Sequence, residues 1–208
     1  MAIKEFSKIE LDALKEMVNI GTGYAATALS QMVSQKIMVE VPEVSLALIS
    51  DLPRLLGGAG TPVVGLFFRI SGDLSGSILL FFPKEVAANL GKFLAAGIPA
   101  EKTPGNVAFD KIALMEVGNI MANSYLNAMA DLLGLKVLVS VPYYACDYLG
   151  AVIDFPLIEI AGTSANALLM KTKLESEDAS LTGDFIIFPE EESFKKMFDK
   201  MGLKKQPG

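Results

Sequence analysis

A chain of 208 residues with a formal charge of −6 and no cluster of Lys or Arg is poorly suited to binding nucleic acid. It has no histidine and one cysteine, Cys146, which excludes Ser-His-Asp and Cys-His catalysis, a disulfide framework and most zinc sites. About half of the residues are apolar (51%), enough for a sizeable core, but the longest apolar run, SILLFF at 77–82, is too short to span a bilayer. The N-terminus, MAIKEFSKIE, lacks the apolar stretch of a signal peptide, so the expected location is cytoplasmic.

Residues 10–34 read as a helix, with Leu11, Leu14, Val18, Ala25 and Leu29 at helical spacing. KIMVEVP at 36–42 reads as a strand ended by its proline. The loop LPRLLGGAGTP has glycines but no Lys-Ser/Thr after them, so it is no P-loop. PVVGLFFRISGDLSGSILLFFP reads as a hairpin turning near Ser71–Asp73. A second helix over 84–96 is stopped by Gly97 and Pro99, and GIPAEKTPGN reads as a linker. From about residue 107 the same order begins again, and the tail KKQPG reads as frayed.

The second half repeats the first at an offset of 100: Leu14/Leu114, Glu16/Glu116, Asn19/Asn119, Ile20/Ile120, Ala28/Ala128, Val39/Val139, Val41/Val141 and Pro42/Pro142. Later, LSGSILLFFP and LTGDFIIFP align on Pro83 and Pro189, an offset of 106, which places about six extra residues between 143 and 182. An amphipathic segment follows each. The acidic run ESED at 175–178 reads as a solvated turn. The pattern predicts an α/β (α+β) fold of two αβ repeats about a pseudo-twofold axis, with a mostly antiparallel sheet and packed helices. It predicts a single domain over 1–208, with halves at about 10–100 and 107–203.

On the first helix Asp12, Glu16 and Asn19 stand at i, i+4 and i+7 and share one face. At roughly 100° per residue that face lies about 130° from the apolar stripe, so the acid and the amide point to solvent. Glu116, Asn119 and Asn123 take the matching face in the second half. Asn is a poor interior helix residue because its side chain competes for backbone hydrogen bonds, so its retention in both halves points to a task for the amide. An amide can hold a water in one orientation and a carboxylate can grip a cation on a partner. That suits hydrolysis of an already activated bond, such as an aspartyl phosphate, where positioning supplies most of the rate. Gly21-Thr-Gly23-Tyr-Ala-Ala26 mimics a dinucleotide fingerprint but continues a helix rather than following a strand. Gly21, Gly23, Ala25, Ala26 and Ala28, with Gly118 and Ala122 opposite, read instead as surfaces for close helix packing.

The spacing Asp12-x3-Glu16-x2-Asn19-x22-Pro42 resembles the signature of the CheC/CheX/FliY phosphatases, which dephosphorylate the chemotaxis response regulator CheY. The second copy, Ile112-x3-Glu116-x2-Asn119-x22-Pro142, departs from it at Ile112, where family members carry Asp or Ser. Two copies, without the extra C-terminal module of FliY-like proteins, point to a CheC-like domain. The resemblance implies that Asn19 or Asn119 orients the attacking water and that Glu16 or Glu116 pairs with the regulator's active-site Lys. It implies that this chain binds no cofactor and that the Mg²⁺ is held by the regulator. It also implies a second partner, the receptor deamidase CheD, with Asp147 as a candidate contact beside Asp12 on the regulator side. A non-catalytic CheC-like adaptor that binds CheD or a response regulator is the alternative.

Overall fold

A computed structural model describes residues 8–96, 108–159, 166–176 and 180–201. The linker at 97–106, the tail at 204–208 and the second half of the acidic run at 175–178, all read from the sequence, lie outside these residues. The first half runs through helix α1 (Lys8–Val33), strand β1 (Met38–Leu48), the short helix α2 (Leu52–Leu55), β2 (Pro62–Gly72), β3 (Gly76–Pro83) and α3 (Lys84–Ala96). The second runs through α4 (Ala108–Leu133), β4 (Val137–Val139), β5 (Tyr143–Tyr148), α5 (Leu149–Glu159), β6 (Asn166–Glu175), β7 (Ser180–Pro189) and α6 (Glu191–Lys200).

All described strands join one antiparallel sheet in the order β1-β6-β7-β3-β2-β4, with β5 also beside β2. The first strand of each half therefore crosses over to pair with the second strand of the other half. Exchange the two halves and the order reads the same from either edge. The central pair is symmetric too: Leu79 faces Ile186, flanked by Ile78 opposite Ile187 and Leu80 opposite Phe185.

The two faces of the sheet correct the late repeat alignment. Leu80 faces one side of the sheet and Ile186 the other, so an offset of 106 would match residues on opposite faces. Any odd offset keeps the faces in step, and in sequence 107 matches Leu74 to Leu181, Gly76 to Gly183 and Phe81 to Phe188, with both members of the last pair on the same face.

Both faces of the sheet are covered. Helices α1, α3, α4 and α6 lie over Leu66, Phe68, Leu80, Phe185 and Ile187. On the other face Leu52 of α2 and Leu149, Val152 and Ile153 of α5 lie over Leu79, Phe81, Ile186 and Phe188. Each large side chain withdrawn in this way contributes about 1.5–3 kcal/mol. That double cover explains why apolar residues crowd both arms of the β2–β3 hairpin instead of alternating.

Three further sequence expectations need correction. β1 does not stop at Pro42; it passes through a bulge between Glu40 and Glu43 and runs on to Leu48. It is an edge strand, where a residue lacking an N–H breaks no ladder on the open side. In the second half the matching segment does break, into β4 and β5, and Ser140 bridges the gap with its N–H on the Arg69 carbonyl (3.0 Å) and its hydroxyl accepting from the Arg69 N–H (3.0 Å). The hairpin turn falls at 73–75, just after the predicted Ser71–Asp73. The second half's extra length is spent largely on α5, a helix with the buried Pro156 inside it, rather than on loop alone.

Candidate active site

α1 and α4 pack side by side. A Cβ added at Gly21 would lie 2.5 Å from the Tyr125 ring and 2.9 Å from its Cα, so only glycine lets the helices approach this closely. Leu14, Met17 and Val18 of α1 line a small apolar void with Tyr125 and Met129 of α4. The N-terminal half of α1 thus lies beside the C-terminal half of α4, and the two helices run antiparallel. Gly118 plays a related part against the sheet, where a Cβ would meet Leu66 at 2.5 Å. Gly23 does not: a Cβ there would meet nothing within 4 Å, which corrects its reading as a packing residue.

With Leu14, Met17, Val18, Ala25, Leu29 and Val33 committed to the core, helical geometry turns Asp12, Glu16 and Asn19 outward, and all three are exposed. On α4 the core positions are Leu114, Val117, Met121, Ala122 and Tyr125, leaving Ile112 and Glu116 exposed and Asn119 half-buried. Because the helices are antiparallel, the Glu/Asn pairs lie at opposite ends of the helix pair. The structure does not gather them into one site; it presents two, each on a rigid element.

The two sites differ in detail. The Asn19 carbonyl accepts from the Thr22 hydroxyl (2.7 Å). Asn123 donates through Nδ2 both to the Asn119 carbonyl (2.8 Å) and to its side-chain Oδ1 (2.9 Å). At the start of α4 the exposed Ile112 stands where α1 has Asp12, and the neighbouring Lys111 ammonium sits 4.8 Å from the centre of the Tyr144 ring.

Asp147 stands apart from both pairs. It is exposed on β5 opposite Val63, and its Oδ1 accepts from the Tyr148 N–H (2.7 Å). Beside it, Phe67, Tyr143, Tyr144 and Phe155 line an open cleft between β2, β5 and α5. No group of three or more acidic or thiol side chains placed to hold a metal ion occurs among the described residues. No described helix is long and apolar enough to cross a membrane.

The CheC-like family profile matches residues 9–46 and 113–143, the two segments that carry the Glu/Asn pairs and the prolines after them. CheY-P phosphatase CheC of Bacillus subtilis (strain 168) is 35% identical over 196 residues, covering 93% of this chain and 94% of that protein. Putative CheY-P phosphatase CheC1 of Halobacterium salinarum is 24% identical over 92% of this chain and 95% of its own. Among solved structures, FliY of Thermotoga maritima superposes with a TM-score of 0.72 at 22% identity, over 96% of this chain and 99% of that one. The likeness to CheC runs along nearly the whole length of both chains, and the chain belongs to the CheC-like family.

Sequence reasoning placed Asn123 on the right face but missed its hold on Asn119. Only the four-residue spacing of two amides on one helix could have signalled it.

Proposed function

We propose that this chain hydrolyses the aspartyl phosphate of a CheY-type response regulator, using Glu16 with Asn19 and Glu116 with Asn119. One observation carries the reading: both Glu/Asn pairs, exposed except for the half-buried Asn119, lie in the segments matched by the family profile, in a chain 35% identical to a CheY-P phosphatase over nearly its full length. The scissile bond is already activated, so the catalytic demand is for positioning and charge complementarity rather than a strong nucleophile. The Asn amide orients the water for in-line attack. The Glu carboxylate pairs with a lysine of the regulator, and Asp12 adds negative potential at the first site. The Mg²⁺ of the reaction belongs to the regulator, this chain supplies no cofactor, and both proteins meet in the cytoplasm.

The scaffold in this reading is one domain over residues 1–208, whose halves at 10–100 and 107–203 are related by a pseudo-twofold axis near the Leu79–Ile186 pair. The exchangeable strand order supports it.

The test is the decay of a phosphorylated regulator with and without the protein. Asn19→Ala combined with Asn119→Ala returns decay to the spontaneous rate with the fold intact, and each single variant keeps part of the activity, since distant sites lose roughly additively. A double variant that still accelerates decay like wild type makes the Glu/Asn pairs non-catalytic and hands the function to the adaptor reading.

The adaptor reading has its own support in the apolar cleft beside the exposed Asp147, a surface suited to a protein partner, for which CheD is the candidate. Asp147→Lys weakens CheD binding and leaves the phosphatase rate unchanged. Equal titrations of variant and wild type remove Asp147 from that surface.

A further inference from the structure

We infer that Asn123 is a positioning residue for the second Glu/Asn pair: its amide fixes the orientation of the Asn119 amide before a partner arrives. The inference rests on the phosphatase reading and deepens it at one of the two sites.

The hydrogen bonds themselves determine which way each amide faces. A backbone carbonyl can only accept, so the end of Asn123 that lies 2.8 Å from the Asn119 carbonyl is its NH₂ group. That same NH₂ lies 2.9 Å from the Asn119 side chain, which must therefore turn its oxygen inward to accept. The Asn119 Nδ2 is left pointing away from the contact. An amide oxygen has two lone pairs, and Asn123 occupies one. The other remains for a water, while the two Nδ2 hydrogens remain for an oxygen of the phosphoryl group. Asn119 is also half-buried, which restricts its rotamers further.

The first site has no such device. The residue matching Asn123 is Gly23, and Asn19 is exposed. Nothing within 4 Å of a Cβ at Gly23 calls for glycine, and its φ is ordinary, so packing does not explain the missing side chain. Asn19 therefore has to be ordered during docking, whereas Asn119 is ordered beforehand. Ordering a group in advance raises turnover more than it raises affinity, because the freedom lost in reaching the reactive geometry has already been given up.

The experiment measures kcat and KM for regulator dephosphorylation in the Asn19→Ala protein, where only the second site works. Asn123→Ala lowers kcat by about five- to tenfold and leaves KM within about twofold. Asn123→Asp, which keeps the shape but cannot donate to Oδ1, lowers kcat at least as far. Asn123 is partly open to solvent, so both variants fold, and matching thermal unfolding curves verify it. Full kcat in either variant, or an effect confined to KM, overturns the inference. The double Asn19→Ala, Asn119→Ala protein separates this failure from the broader one. If it is inert while Asn123 has no effect, only the positioning role falls; if it is active, the phosphatase reading falls as well.

Discussion

The two long helices span corresponding residues at an offset of 100, yet they end differently. Both close with a left-handed residue and an N–H reaching back five positions, Gln35 to the Ser30 carbonyl (3.3 Å) and Leu135 to the Ala130 carbonyl (2.9 Å). The left-handed residue is Gly134 at φ 63° on α4 but Ser34 at φ 55° on α1. The central strands show the same kind of divergence. Ser77 of β3 and Asp184 of β7 occupy matching positions at the offset of 107, one a buried hydroxyl and the other a half-buried carboxylate. A scaffold that repeats itself need not repeat its chemistry: the backbone geometry is held in common while single side chains carry the differences.

The larger effect is expected at Asp184. Burial pushes its pKa up to about 6; Lys171 opposes this, and Glu43, itself 3.4 Å from Lys171, adds to it. The folded carboxyl then holds its proton more tightly than the unfolded one, whose pKa is about 3.9. Its contribution to stability is fully present below about pH 4 and is lost as the pH rises through about 6. Asp184→Asn removes that loss and stabilises the protein by about 1–2 kcal/mol at neutral pH, bringing the position closer to its neutral counterpart Ser77. Urea unfolding at pH 4.5 and 7.5 checks it. The gap between variant and wild type must widen at the higher pH; equal gaps would show that burial does not reach this carboxyl.

A smaller effect sharpens the comparison at the helix ends. Ser34→Gly should raise stability by about 0.5–1 kcal/mol, because a Cβ is strained at positive φ, and Gly134→Ser should lower it by about as much. The same unfolding experiment reads both. Changes of equal sign would mean that the two ends are not equivalent.

Much of the site was legible because helical periodicity is local. Leu14 and Val18 on one face force Glu16 and Asn19 onto another whatever the rest of the chain does. Gly21 was read correctly as a close-packing residue, but the neighbouring Gly23, identical in sequence terms, was not, since only the partner helix distinguishes them. Pro42 reads as a strand end because a proline cannot donate to a central ladder, and nothing local reveals that β1 is an edge. Pro156 hid α5 in the same way. The crossing of first strands between halves was out of reach, because pairings between distant segments leave no periodic trace in either one. The one-residue error in the late offset came from anchoring on Pro83 and Pro189, when the alternation of faces in the sheet decides the register.

That crossing of strands has a consequence for synthesis. As the chain leaves the ribosome, β1 emerges early, but Met38 to Leu48 pair only with Glu175 back to Asn166. Throughout translation of β2, β3 and the whole of α4, the nascent β1 has no strand beside it. The β2–β3 hairpin can form at once, yet its outer neighbours β5 and β7 are also still to come. Neither half can finish its share of the sheet alone, so assembly must wait until almost the entire polypeptide is available, a late and strongly non-local commitment of the kind that slows folding. In the interval the apolar arms of that hairpin stay open to association with other chains.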